Sequence, residues 1–204
     1  MKSYPDLYFN CAIANMYLEN YERALRGFEA AALKDPGLNA DEEVQKIINL
    51  LDKLESLIRG QSRAKRLVSL VSSSLSEVDL KLPYRKATIN ILTEGLNKRV
   101  AVVGKVLLFI KHDNIAPLYY VTCDSDQTLF ILTVYGLQGE AIKEGDRVTL
   151  LEPYHRVVDF SWKSKQHYHF KAIRVDFGEQ ILVNEKTPAP HLAVRASILV
   201  QHKP

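Results

Sequence analysis

Val100-Ala101-Val102-Val103-Gly104-Lys105-Val106-Leu107-Leu108-Phe109-Ile110-Lys111 decides the fold. β-Branched and aromatic residues fit a pleated, half-buried surface, so the run predicts a strand over Val100–Lys111. Outward from it, similar short runs predict strands at Leu118–Asp124, Thr128–Tyr135, Arg147–Phe160 and Tyr168–Asp176. Asp124-Ser125-Asp126-Gln127 reads as a hairpin turn between the second and third of these. Gly139-Glu140-Ala141-Ile142-Lys143-Glu144 reads as a short helical turn between the third and fourth. Before Pro83 the pattern inverts, and from Leu7 to Leu75 apolar residues recur with a helical period. Val44, Ile47, Ile48, Leu51, Leu54 and Ile58 form one stripe, Asn39 and Glu42 have the spacing of a capping box, and Gly60 supplies a stop. A further helix is expected over Arg63–Leu75, with Leu67, Leu70, Val71 and Leu75 on one side and a fraying, serine-rich end at Ser72-Ser73-Ser74-Leu75-Ser76.

The expectation is therefore an α+β chain, with a helical hairpin and linker helices followed by five strands. Strand, hairpin, helical turn, hairpin is the order of an OB-fold β-barrel. We divide the sequence into residues 1–38, 39–83, 84–186 and a tail, 187–204, in which Thr187-Pro188-Ala189-Pro190 breaks regular structure and Leu192–Val200 returns as a final strand or helix. The 204 residues, 47% hydrophobic and 25% charged, suffice for two small cores. No apolar run approaches the roughly 20 residues of a membrane span, and Met1–Asp6 lacks the apolar stretch of a secretory signal. The chain reads as intracellular, with Cys11 and Cys123 as reduced, buried small hydrophobes. Residues 1–83 carry 11 Lys+Arg against 12 Asp+Glu, and residues 84–204 carry 16 against 12, so the mild basicity sits in the strand-rich half. That leaves nucleic-acid binding open without establishing it.

Tyr21-Glu22-Arg23-Ala24-Leu25-Arg26-Gly27-Phe28-Glu29-Ala30-Ala31-Ala32-Leu33-Lys34-Asp35-Pro36 resembles the second helix of a tetratricopeptide repeat (TPR). Small Ala24 and Ala31 let a paired helix approach, Phe28 fills the gap between repeats, and Pro36 ends the helix. Ala14 and Tyr17 fit the first helix but lie close to Ala24, which implies a shortened turn. A single repeat cannot bury both faces, so Tyr8, Ala12 and their neighbours are expected to expose a face that a preceding repeat covers. Val103-Gly104-Lys105-Val106 resembles the first OB strand, with the glycine allowing a sharp bend, and Ile142-Lys143-Glu144-Gly145-Asp146-Arg147-Val148-Thr149-Leu150 resembles the lead into the fourth. The combination, with Leu82-Pro83-Tyr84 between the parts, resembles the Strap family of stress-responsive activators, the tetratricopeptide repeat protein five family. That resemblance implies a non-catalytic nuclear and cytoplasmic cofactor that scaffolds acetyltransferase and transcription-factor complexes. It further implies an OB domain that contacts DNA or chromatin and, in full-length form, a part in tubulin message autoregulation.

Residue by residue, the sequence offers no G-x-S-x-G, H-E-x-x-H, G-x-x-x-x-G-K-[ST] or G-x-G-x-x-G pattern, so no enzyme, cofactor or small-molecule substrate is expected. OB barrels bind across their second and third strands. Strand alternation puts Tyr119, Val121 and Cys123 with Phe130, Leu132 and Val134 in the core, leaving Tyr120, Thr122, Thr133 and Tyr135 as a candidate exposed platform. The loop Ser161-Trp162-Lys163-Ser164-Lys165-Gln166-His167 is basic and aromatic, suited to a phosphate backbone, with Trp162, Lys163, Lys165 and His167 as its contacts. Packing under the linker helices is the competing reading of these aromatics. His167 and His169 share a strand face, and His155 is a conceivable companion, but the sequence fixes no third ligand and they read as solvated strand histidines. The function expected is a scaffold docking proteins, with a single-stranded nucleic-acid binder as the alternative.

Overall fold

Three helices precede a mixed β-sheet in the computed structural model, which describes residues 4–60, 75, 80, 83–112, 117–163 and 166–194. The helices are α1 (Pro5–Tyr17), α2 (Tyr21–Lys34) and α3 (Ala40–Arg59). The strands are β1 (Arg85–Ala87), β2 (Gly95–Leu96), β3 (Val100–Ile110), β4 (Leu118–Asp124), β5 (Leu129–Val134), β6 (Arg147–Leu151), β7 (Tyr154–Trp162), β8 (Gln166–Val175) and β9 (Ile181–Val183). The chain divides into two compact units, Met1–Ser56 with Asp159–His169, and Leu57–Val158 with Phe170–Pro204.

In the helical unit, α1 and α2 form a hairpin. Proline within the first turn suits the start of α1, where no backbone donor is needed. Its last turn hands over to α2 through Glu19, whose left-handed backbone (φ 60) reverses the chain. The close approach is set by Gly27: a Cβ there would stand 2.9 Å from the Cβ of Ala12. Ala24, Phe28 and Ala31 are fully buried beside it, and the Phe28 ring meets Phe9 edge-on at 5.2 Å. Ala12 is buried rather than displayed, because it is the surface against which Gly27 packs. After Asp35, Pro36 opens a 3-10 turn whose Gly37 N–H donates to the Asp35 carboxylate at 2.9 Å. Asn39 closes that turn with a left-handed backbone (φ 51). In α3, Val44, Ile47, Leu51 and Leu54 are buried and Ile48 is half-buried, as the stripe requires.

In the sheet, strands run in the order β2-β7-β8-β5-β4-β3-β6-β9, with β1 parallel on β3. β5 and β8 pair in parallel, whereas β3–β4, β4–β5 and β3–β6 are antiparallel. The expected fourth strand is split, because Glu152 adopts a left-handed backbone (φ 48) and Pro153 has no amide donor for the ladder. Its first half pairs with β3 and its second with β8. The short β1, β2 and β9 were not legible as strands, since two or three residues carry no alternation. The expected helical turn at Gly139–Glu144 is instead irregular chain with two tight turns. Ala141 N–H donates to Gln138 and Asp146 N–H to Lys143, while the Asp146 carboxylate accepts from Lys143 N–H at 2.8 Å and Gly145 takes φ +88. Local turn bonds thus outcompete a helix.

Val102, Val106, Tyr120, Phe130, Leu132 and Ile173 are central to one core, closed by Ile89, Val148 and Leu150. On another part of β3, Leu75 and Leu80 pack with Val103 and Leu107. Asp124 organises the β4–β5 turn: it is fully buried, and its carboxylate accepts from the backbone N–H of Ile89, Asp126 and Thr128. Arg63–Ser74, most of Ser76–Leu82 and Arg195–Pro204 lie outside the described residues, so the expected second linker helix and the tail beyond Val194 do too. Leu137 and Ala193 form an isolated bridge just before that limit. Among the described residues no helix is long and apolar enough to cross a membrane.

The register of β3 shifts between Val106 and Leu108. At Gly104 the glycine serves close packing, since a Cβ would meet Thr122 Cγ2 at 2.8 Å and the Cys123 carbonyl oxygen at 3.2 Å. Gly104→Ala should therefore lower stability by about 1–3 kcal/mol in urea denaturation, the range for overpacking a filled core. A loss below about 0.5 kcal/mol would show that β4 can move aside.

Candidate functional site

The platform read from strand alternation is not displayed. Every residue of β4 is buried, on both faces of the strand. Tyr120 and Thr122 are among them, each at 0% exposure, and Thr133 on β5 is buried too, at 1%. Tyr120 lies in the core with its ring 5.2 Å from Phe109, and its hydroxyl donates to the Ile142 carbonyl. Burial, with Asp146 adding to it, pushes its phenol up to about 12. Tyr135 is half-buried, and the Arg174 guanidinium covers its ring at 4.1 Å while Asp176 holds Arg174 in place. Alternation identifies which residues share a face; it does not say whether that face is covered.

The β7–β8 tip also departs from expectation. Residues Asp159–His169, which the sequence places inside the strand-rich segment, belong to the helical unit. Trp162 is buried, and its indole N–H has no hydrogen-bond partner among the described residues. Lys163 remains exposed but ion-pairs with Glu29 of α2 at 2.5 Å. Tyr168 is fully buried; its hydroxyl donates to Asp52 of α3 at 2.9 Å, and the next amide, His169 N–H, donates to Glu55 at 3.1 Å. Desolvation first, then the Asp52 bond and the Asp52 and Glu55 charges, raise the Tyr168 phenol and keep it neutral. The aromatics of this loop are thus packing residues, the reading the sequence held as the competing one. Lys165 lies outside the described residues.

His167 and His169 do point to one exposed surface, and Asp159 joins them there. His155 does not: it is buried, with Nδ1 3.4 Å from the Thr93 carbonyl and Nε2 unpaired among the described residues. Cys123 is buried and its thiol is pushed up to about 12 by burial and Asp124, whereas Cys11 is exposed, contrary to expectation, because it lies on the outward side of α1.

That outward side is the largest departure from an ordinary surface. α1 carries one charge, Asp6, in 13 residues. Its inward residues Ala12, Phe9 and Ile13 are buried or half-buried, yet Tyr4, Leu7, Cys11, Ala14 and Leu18, spaced three or four apart, are exposed, as is Tyr8 beside them. Leu7 and Leu18 are 61% and 54% accessible, and Lys34 lies over the Tyr8 ring. The sequence signal was available in the near-absence of charge from residues 5–17.

Residues 83–197 match the family model described as the tetratricopeptide repeat protein 5 OB fold domain. The chain belongs to the tetratricopeptide repeat protein 5 family. Tetratricopeptide repeat protein 5 of Bos taurus, Homo sapiens and Mus musculus are each 29% identical over 201 residues, covering 90% of this chain and 46% of theirs. The chain thus spans about half the length of these curated relatives. The family match covers β1 to β9 and makes the strand-rich part an OB-fold domain within an α+β chain. Within this family member the described residues display the α1 stripe and the Asp159–His167–His169 cluster.

Trp162→Ala should destabilise the chain by about 3–5 kcal/mol in urea denaturation, the range for emptying a buried tryptophan site. A loss under about 1 kcal/mol would mean the indole is not a packing residue. His155 is held below its ordinary 6.5 chiefly by burial, opposed by the Thr93 carbonyl. As pH falls the unfolded chain then takes up this proton first, so stability present above the unfolded value is lost as pH falls through the folded one. Replacing His155 by Gln should flatten the fall of the thermal midpoint between about pH 7 and pH 5. Parallel curves for the two proteins would sink that assignment.

Proposed function

We propose that the chain is a non-catalytic scaffold that docks protein partners through the outward stripe of α1. The observation that carries this is a helix apolar on two sides with, among the described residues, only one side covered. Apolar side chains at three- and four-residue spacing suit a second amphipathic helix laid alongside, which is how neighbouring tetratricopeptide repeats and helical ligands pack. We read α1 and α2 as one such repeat, supported by Ala24, Phe28 and Ala31 in the helix contact and Pro36 at its end. We read β3, β4, β5 and β8 with β6–β7 as a five-stranded barrel. Support comes from β6 pairing with β3 and β7 with β8 across a two-residue break.

In this reading the partners are acetyltransferase and transcription-factor complexes, met in the nucleus and cytoplasm, and the tubulin message role belongs to full-length members of the family. Contact of the OB-fold domain with DNA or chromatin belongs to the same reading, without Tyr120, Thr122, Thr133 and Trp162, which are buried. The single-stranded nucleic-acid reading loses its stacking platform for the same reason.

The test pairs Leu7→Glu with Leu18→Glu and measures recovery of acetyltransferase and transcription-factor complexes from nuclear extract by quantitative mass spectrometry. Both side chains are exposed, so the thermal midpoint should stay within a few degrees of wild type while recovery falls about tenfold or more. Equal recovery by wild type and variant would overturn the α1 assignment.

A further inference from the structure

We propose that Asp159, His167 and His169 form a surface site for a divalent transition-metal ion, with Zn2+ the best fit and one coordination position left open. Each residue offers one ligand atom, and the three atoms lie within 4.8 Å of one another. His167 Nε2 stands 3.3 Å from one carboxylate oxygen of Asp159, and His169 Nδ1 stands 3.5 Å from the other. Those separations are long for good N–H···O bonds, which fall at about 2.7–3.2 Å. The edge of a tetrahedron around zinc is about 3.3 Å for metal–ligand bonds of about 2.0–2.1 Å, so each imidazole already stands near that distance from one Asp159 oxygen, and small side-chain rotations bring the three ligand atoms, within 4.8 Å of one another, to a single ion. The two imidazole planes are nearly parallel, 8° apart with centroids at 6.3 Å.

The surroundings hold these groups in place. Ser161 Oγ lies 3.1 Å from His167 Nδ1, the second-sphere contact that fixes which nitrogen is offered to a metal. Between the two histidines in sequence, Tyr168 is buried and bonded to Asp52, and the His169 amide is bonded to Glu55, so the strand carrying both ligands is pinned from beneath. Two nitrogen donors disfavour Ca2+ and Mg2+, which take oxygen ligands, and one carboxylate with two imidazoles suits Zn2+ or its neighbours in the first row. Side-chain exposure of 53–55% at all three leaves the remaining position to water or to a donor from a bound partner. The site is independent of the α1 docking face.

The experiment uses the untagged full chain, freed of metal by chelator and titrated with Zn2+ in a calorimeter. Histidine side-chain resonances are followed by NMR. One ion should bind per chain, and the imidazole signals of His167 and His169 should move while that of His191 does not. His167→Gln, His169→Gln and Asp159→Asn should each weaken binding about tenfold or more, with His191→Gln as the unchanged control. Absence of binding, or binding unaltered in both His167→Gln and His169→Gln, would overturn the proposal. The NMR readout on the unaltered chain keeps it open to refutation even if a variant folds poorly.

Discussion

Burial of β4 on both faces is the constraint on which the rest of the OB-fold domain depends. A strand with solvent on one side can display alternate residues to a ligand; one covered on both sides has none to display. The hydroxyl of Tyr120 therefore seeks a backbone carbonyl, the thiol of Cys123 stays protonated and inert, and Asp124 is spent on three backbone amides of the adjoining turn and the Ile89 segment. The same crowding explains why Gly104 has no side chain: the neighbouring strand occupies the space.

A second set of contacts gives the helical unit its own anchor. Short helical hairpins bury little surface, and residues 159–169 add a buried indole and a buried phenol to this one. Tyr168 with Asp52 and Lys163 with Glu29 tie polar ends to α3 and α2, so the aromatic side chains of the tip serve packing within the unit. What the unit displays instead is of two kinds: an apolar stripe on α1 and a compact group of one carboxylate and two imidazoles on β7 and β8.

These displayed features divide function by chemistry. The stripe suits a partner helix, where affinity comes from area removed from water. The carboxylate–imidazole group suits a cation, where recognition comes from donor type and spacing. Neither uses the strand positions through which OB domains bind nucleic acid.

By itself the sequence determined the order of the long elements, three helices and then the long strands. Helical period in Val44–Leu54, β-branched runs in Val100–Ile110 and Leu129–Val134, and the turn at Asp124–Gln127 are local properties, written in a few consecutive residues. The family resemblance was legible as well, in the residues around Gly104 and in Ile142–Leu150, and the family match over residues 83–197 bears it out. Tertiary structure alone decided what is exposed. Alternation placed Tyr120 and Thr122 on one face but could not say that both faces of β4 are covered, since that depends on residues far away in the chain. Likewise Lys163 looked free because Glu29, its neighbour in space, lies more than a hundred positions earlier. The hundred-residue gap between Asp52 and Tyr168 hid their bond for the same reason. Secondary structure is governed by neighbours in sequence; burial, and with it function at a surface, is governed by neighbours in space.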